Sequence, residues 1–385
     1  MFPTIGHLIY YLFGINFTFP IQTLGLFMAL SFLFSYMVFS SEFKRYEALG
    51  KITAFTREVM LGQKASFAEI SINSFLGFLL GFKAFGAMFN YTIFSDNPQS
   101  YLLSLKGNLV MGILTAAIFG FWVYADKKEN ELEEPRLVTE TVHPYQLMGM
   151  LLFSVGFFGF IGAKLFDRVE HWDNFRYDPV GTLFNVRGFS YYGGLIFGAL
   201  TYLYIGHKKG MKLVHLADIG SPGMMLAYGI GRIGCQLAGD GDWGIVNNHA
   251  KPGFLPQWMW SFTYPHNAIN AGIPLPDCTG NYCNQLVHGV YPTPFYEATI
   301  CLLFFMLMWI FRNKIIIPGF MFFLYLILNG GERFLIELIR INPKYHILGM
   351  ELTQAGFIGL LMVLGGLTGF VFLIINHKNN LQRQP

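Results

Sequence analysis

The chain has 385 residues, of which 53% are hydrophobic, 17% aromatic and only 13% charged, with 41 Phe and a formal net charge of +3. A soluble domain carries about 25% charged residues, so this composition excludes an ordinary soluble protein and points to an all-α, polytopic membrane protein with a mean hydropathy of +0.43. The small positive charge fits basic loops facing anionic headgroups and gives no indication of nucleic-acid binding.

About 20 apolar residues cross the hydrocarbon of a bilayer. Nine such segments follow in order: 20–40, 70–94, 108–125, 145–166, 189–206, 214–234, 295–312, 316–338 and 353–376. Glycine and polar groups interrupt 189–206 and 214–234, which neighbouring helices can tolerate by resatisfying the backbone. The first 19 residues lack Lys and Arg, so the basic start of a cleavable signal is missing and the first span is expected to stay as an anchor. If the N-terminus is outside, the inside loops hold about twice as many Lys and Arg as the outside ones, Arg383 on one side and Arg187 on the other among them. The expected topology is therefore N-terminus outside, C-terminus cytoplasmic.

Residues 126–143 form a charged connection after the third span. Residues 236–294, rich in Pro, Gly and Asn, are long for a plain loop and read as a small cap on the outer face. Within them, Cys278 and Cys283 in DCTGNYC can pair under oxidising conditions. Free thiols and a metal site are the alternatives, although no local His/Cys pattern supports a metal. Cys301, inside a span, reads as packing. The whole chain, 1–385, reads as a single integral membrane domain.

Groups with chemistry gather at the expected outer ends of spans. Lys164 closes the fourth span, and Tyr191, Tyr192, Gly193 and Gly194 open the fifth. Arg232, Cys235, Asp240, Asp242 and Gly244 lie at the end of the sixth or just after it. Tyr296 and Glu297 open the seventh, and Glu332, Arg333 and Glu337 lie in the eighth. An ionisable group at membrane depth costs at least a few kcal/mol and is seldom there without a partner or a task. Each has a plain explanation: a snorkelling lysine, belt tyrosines, Arg333 paired with Glu337 at i, i+4, and Arg232 neutralised by Glu297. Coincidence across five segments favours a site, with Arg232 as an anion hook walled by glycines.

GFSYYGGLIFG, GIGRIGCQLAGDGDWG, PTPFYE and ERFLIE, in that order, resemble the motifs of the phosphatidylglycerol–prolipoprotein diacylglyceryl transferase family, as does GAKLFDRVEH. Asp218 in HLADIGSPG matches a family aspartate. The resemblance covers residues 140–376 and leaves 70–125 as two inserted spans. It implies a seven-helix core in the bacterial inner membrane and transfer of diacylglyceryl from phosphatidylglycerol to a lipobox cysteine thiol, without a cofactor or metal. The implied partners are phosphatidylglycerol, preprolipoprotein signal peptides and membrane lipids. Arg232, Arg333 and Glu337 take the family's charged roles, with Tyr192 as the fourth catalytic position. Lys164, Gly193, Gly194, Cys235, Asp240, Gly244, Tyr296 and Glu297 are expected to line the substrate. A phosphate leaving group calls for arginine in a dry site, and a thiol nucleophile must lose its proton.

Four positions depart from the pattern, one of them Thr23, near which the family's first-span tyrosine falls. Tyr192 stands where the family has histidine, Cys235 where it has asparagine, and Lys164 where arginine is usual. Lysine keeps charge but loses the bidentate fork, and a neutral tyrosine is a poor base near pH 7. The alternatives are a divergent paralogue with another lipid or acceptor, and a noncatalytic lipid-binding or transport protein.

Overall fold

The structure, a computed structural model, describes every residue except 17–20, 97–100, 103, 185–187, 316, 348 and 383–385. Arg187 and Arg383, counted above in the charge bias, lie outside the described residues. Long helices stand at all nine expected positions: α1 (Thr23–Ala48), α2 (Phe67–Phe89), α3 (Leu109–Glu129), α4 (Met148–Glu170), α5 (Tyr191–Lys208), α6 (Leu213–Ala238), α7 (Thr293–Phe311), α8 (Phe320–Glu337) and α9 (Gln354–Gln382). Among the described residues, six of them are long and apolar enough to cross a membrane: α1, α2, α3, α4 with its preceding turn, α7 and α9. The other three, α5, α6 and α8, carry the glycines, tyrosines and charges of the motifs, which lower their hydropathy. The chain is thus an all-α polytopic membrane protein.

The chain forms two compact units. The first comprises Met1–Thr53, Pro144–Val155 and Ala199–Pro385. Here α6 packs against α1, α7 and α8, and α8 against α9. Gly330 and Gly359 bring α8 and α9 together so closely that a Cβ on either would come within 2.8 Å of the other's carbonyl oxygen. The apolar centre is built from Met225, Cys301, Met308 and Met321, with Tyr228 and Phe304 against them, so Cys301 is packing, as its position suggested. Asp218 of α6 caps α8 from outside: its carboxylate accepts from Gly319 N at 2.6 Å and Phe322 N at 3.0 Å. That arrangement satisfies N–H groups that a helix start otherwise leaves orphaned.

Gly239, at φ 66, ends α6 in the left-handed conformation that suits glycine. The segment from there to α7, called the cap for brevity, folds on a small core of its own. Trp243, Tyr264 and Val290 form its core, packed by Phe262 and Leu286. Asn267, fully buried, donates to the carbonyls of Tyr264, Ala271 and Asn284 and accepts from Ala271 N. The Tyr264 hydroxyl donates to Gln236 at 2.7 Å and ties this core to α6. Cys278 and Cys283 are joined as a disulfide.

The second unit comprises Ala54–His143 and Gly156–Gly198. Strands β1 (Phe55–Leu61) and β2 (Arg136–Val142) pair antiparallel, Phe55 opposite Val142 and Leu61 opposite Arg136. They flank the helical hairpin α2–α3. A capping box at Ser66 and Glu69 starts α2, and the Asn108 side chain starts α3. Thr115 of α3 donates to Gly77 O at 2.8 Å. Lys83, a cation inside α2, donates to the carbonyls of Tyr101, Ser104 and Lys106, which meet its charge locally.

A buried arginine and carboxylate network as candidate active site

Four elements of the first unit converge on one carboxylate. Glu297 lies in the first turns of α7, is completely buried, and sits beside three arginines. Arg232 Nε, from the end of α6, is 2.7 Å from Glu297 Oε2; Arg333 Nη1, from α8, is 3.3 Å from the same oxygen. Arg340 Nη1, just beyond α8, is 3.2 Å from Oε1. The Tyr228 hydroxyl donates to Oε2 at 2.6 Å and accepts from Arg333 at 3.1 Å, while its ring lies 5.0 Å from the Arg232 guanidinium. Arg333 and Glu337 pair at 2.9 Å, as their i, i+4 spacing anticipates. Asn342 donates to both oxygens of Glu337.

Asp242 completes the set. It pairs with Arg232 and, at 2.5 Å, with Arg340. Burial alone would push its carboxyl up, but Arg232 and Arg340 outweigh that and hold it below the usual carboxylate range. Asp240, two residues earlier, shows the opposite balance: burial first, and the Asp242 charge second, push it up. Asp240 accepts from Asp242 N at 3.3 Å and hydrogen-bonds the Cys235 thiol. Cys235, Asp240 and Asp242 hold ligand atoms within 4.8 Å of one another, a spacing a metal ion could use. The Asp242 oxygens, however, are already engaged by two guanidiniums, and a cation placed there would meet that positive charge.

Three guanidiniums thus face three engaged carboxylates, Asp242, Glu297 and Glu337. Arg232 is neutralised by neighbours, as its plain explanation held, yet it remains in a dry site where two further arginines meet. Glu332 is buried nearby in sequence, and both its oxygens lack a hydrogen-bond partner among the described residues.

Two members were missed in the sequence. Arg340 lies past the end of α8 and reads as a loop cation; the chain returns because Gly244 bridges Arg340 and Ile245 N donates to Ile339 O at 2.8 Å. A Cβ on Gly244 would come 2.5 Å from Ile339 O, which explains glycine there. Tyr228 reads as a span residue, although its i, i+4 relation to Arg232 was a usable signal. Of the expected lining residues, Tyr296 turns to the cap, donating to Met259 O at 2.7 Å.

Lys164, Tyr192, Gly193 and Gly194 belong to the second unit. Lys164 is buried, its ammonium 4.1 Å from the Phe189 ring centroid, a cation–π arrangement. Gly193 sits where α5 meets α4: a Cβ there would come 2.3 Å from Gly162 O. Tyr191 is well exposed and stacks edge-on against Tyr192, with centroids 5.6 Å apart.

Comparison with known proteins gives a consistent result. The profile of the family described as prolipoprotein diacylglyceryl transferase matches residues 110–372. A phosphatidylglycerol–prolipoprotein diacylglyceryl transferase of Leptospira interrogans is 31% identical over 266 residues, 64% of this chain and 73% of the relative. One from Clostridium tetani is 31% identical over 218 residues, 56% of this chain and 76% of that protein. One from Streptococcus mutans is 27% identical over 227 residues, covering 57% and 75%.

Proposed function

The chain belongs to the prolipoprotein diacylglyceryl transferase family, and we propose that it moves the diacylglyceryl group of phosphatidylglycerol onto the cysteine thiol of a prolipoprotein in the bacterial inner membrane. The observation that carries this reading is Glu297 Oε2, met by Arg232 at 2.7 Å and Arg333 at 3.3 Å from two different helices. An oxygen held this way marks a place where a phosphate oxygen fits, since phosphate and carboxylate both accept from a guanidinium fork.

The charge balance suggests how substrate enters. The guanidiniums are paired with protein carboxylates, so a phosphodiester gains them only by exchange. Asp242, the most exposed of the three carboxylates, is the natural one to yield at Arg232, and Arg333, which pairs with Glu297 and Glu337, adds its remaining donors to the phosphate. In the reaction, the thiolate sulfur forms a C–S bond with the glyceryl carbon, and the bond from that carbon to phosphate oxygen breaks. The thiol proton can leave with the glycerol phosphate, whose new oxyanion is met by Arg232 and Arg333. A fixed site of this kind stabilises charge as it develops, without solvent having to reorganise.

Tyr192, in the position of the family's histidine, is assigned to orienting phosphate or assisting deprotonation. Cys235 and Asp240, with Lys164, Gly193, Gly194, Gly244 and Tyr296, are assigned to lining the substrate. Orientation with the N-terminus outside rests on the loop charges and accords with a disulfide in the cap. Crossing by all nine long helices, and docking of the acceptor through its signal peptide, complete the reading.

Complementation tests it. In cells lacking their own transferase, this chain should restore the diacylglyceryl mass increment on a reporter lipoprotein, and Arg232→Ala, still inserted, should not. A reporter that stays unmodified with the wild-type chain at normal expression would reject the assignment.

A further inference from the structure

Residues 251–258 of the cap, KPGFLPQW, form a turn that carries large apolar side chains outward. Leu255 N donates to Pro252 O at 3.2 Å, which places Gly253 and Phe254 at the tip of a β-turn. The Lys251 ammonium donates to the carbonyls of Leu255 at 2.6 Å and Pro252 at 3.3 Å and holds that turn closed. Its base is fixed as well: Trp260 Nε1 donates to His249 O, and the Asn247 side chain donates to Trp260 O. Phe254 is nevertheless 85% exposed and Trp258 42% exposed. Turns that face water favour Gly, Pro, Asn, Asp and Ser. A fixed turn ending in a bare phenyl ring, with an indole beside it, has instead the makeup of a membrane contact.

Helix α7 fixes where this tip stands. Phe295, Thr299, Leu303, Met306 and Ile310 recur at three and four residues and so share one face of α7. Thr299, Leu303, Met306 and Ile310 are exposed, and on a helix long and apolar enough to cross a membrane such a face meets lipid. Glu297, Cys301 and Met308, all fully buried, lie on the opposite face, turned into the protein. Phe295 heads the lipid-facing row, and the Trp258 ring packs edge-on against it with centroids 5.0 Å apart. The Tyr296 hydroxyl, donating to Met259 O at 2.7 Å, ties the segment to the same turn of α7. The exposed rings therefore continue the lipid-facing row past the start of the helix, at the level where the hydrocarbon gives way to headgroups. Aromatic rings with an apolar body and a polar edge, as in Trp258, settle at that level.

We infer that residues 251–258 form a membrane-seating loop, which puts Phe254 and Trp258 into the headgroup layer of the leaflet at the start of α7. The partner is the bilayer surface itself, because the tip is apolar and the row that it extends faces lipid. A turn already closed by Lys251 and braced on α7 enters that layer with little ordering cost. The loop stands on the lipid side of the same helix turns that hold Glu297 on their protein side. The inference rests on α7 crossing the membrane and not on the transferase assignment.

The test uses the full chain in liposomes of phosphatidylcholine and phosphatidylglycerol, with the photoreactive residue benzoylphenylalanine placed at Gly253, where a Cβ meets nothing within 4 Å. Irradiation should give a lipid adduct, read by intact mass, in a yield similar to that from the same probe at Leu303 on the lipid-facing row. Adding Phe254→Asp should lower the Gly253 yield severalfold, because a carboxylate is kept out of the apolar layer. Phe254→Leu should keep it. Phe254 is so exposed that neither change disturbs the packed cap. An adduct at Leu303 without one at Gly253 would overturn the inference, as would equal Gly253 yields with Phe254 and with Phe254→Asp. A chain-to-chain product at Gly253 in place of the lipid adduct would overturn it by giving the tip to a second copy. No adduct at Leu303 would take lipid away from this face of α7 and overturn it as well.

Discussion

Glu297 holds the arginine network together, because its two oxygens face Arg232, Arg333 and Arg340 together. Replacing it with Gln keeps the shape and leaves three buried guanidiniums for two carboxylates. Breaking a buried ion pair from one side costs about 3–5 kcal/mol, so Glu297→Gln should lower the unfolding midpoint clearly in detergent melts. Asp240 and Asp242 give a pH signature. The Asp242 carboxyl is held low, so its contribution to stability is present above the unfolded-state value near 3.9 and is lost as pH falls through its folded value. Asp240 is pushed up, so its contribution is full only below the unfolded value and is lost as pH rises through the folded one. Asp240→Asn should therefore raise the melting temperature at pH 8 relative to wild type and lose that advantage at pH 4. An unchanged difference between the two pH values would contradict the burial argument. Tyr192→Phe should lower turnover about 10- to 100-fold if its hydroxyl acts in the transition state, measured against unaltered lipid binding; a silent change would make it a belt residue.

At the scale of elements, α6, α7 and α8 bring the network together, and α6 is also where the sequence was hard to read. The spans containing α5 and α6 were interrupted by glycines and polar groups, yet both formed, because tertiary packing and not hydropathy decides a helix whose polar groups have partners. The i, i+4 pair of Arg333 and Glu337 was legible from spacing alone. Arg340 was not, because its place depends on a return of the chain against Gly244, a long-range pairing without a local signal. The pairing of Asp242 with Arg232 was equally hidden, since charges read in a loop say nothing of whether they face water. Asp218 ties α6 to the start of α8, and so sets where Arg333 stands. Asp218→Ala removes the acceptor for two helix-start N–H groups and should cost about 1–2 kcal/mol, seen as a lower melting midpoint. A melt unchanged from wild type would show that other groups satisfy the α8 start.

For the whole molecule, composition sufficed for the class, and motif order for the family, whereas the division into two compact units left no mark in composition. That division depends on which helices pack against which, and the α2–α3 hairpin with its β1–β2 ribbon reads simply as two more apolar runs. Topology can be measured directly. Cysteine placed at Lys251, exposed in the cap, should react with an impermeant maleimide from outside, and cysteine at Lys128, exposed in the last turn of α3, only after permeabilisation; the reverse pattern would invert the orientation. The proposed role of Arg232 and Arg333, binding the phosphate that leaves, can be measured directly. Purified protein given headgroup-labelled phosphatidylglycerol and a lipobox-cysteine peptide in nanodiscs should release labelled glycerol phosphate in step with peptide lipidation. Arg232→Ala and Arg333→Ala should each reduce that release by about 10²- to 10³-fold, with the protein still folded. Release close to the wild-type rate in either variant, or release that continues without the peptide thiol, would contradict it.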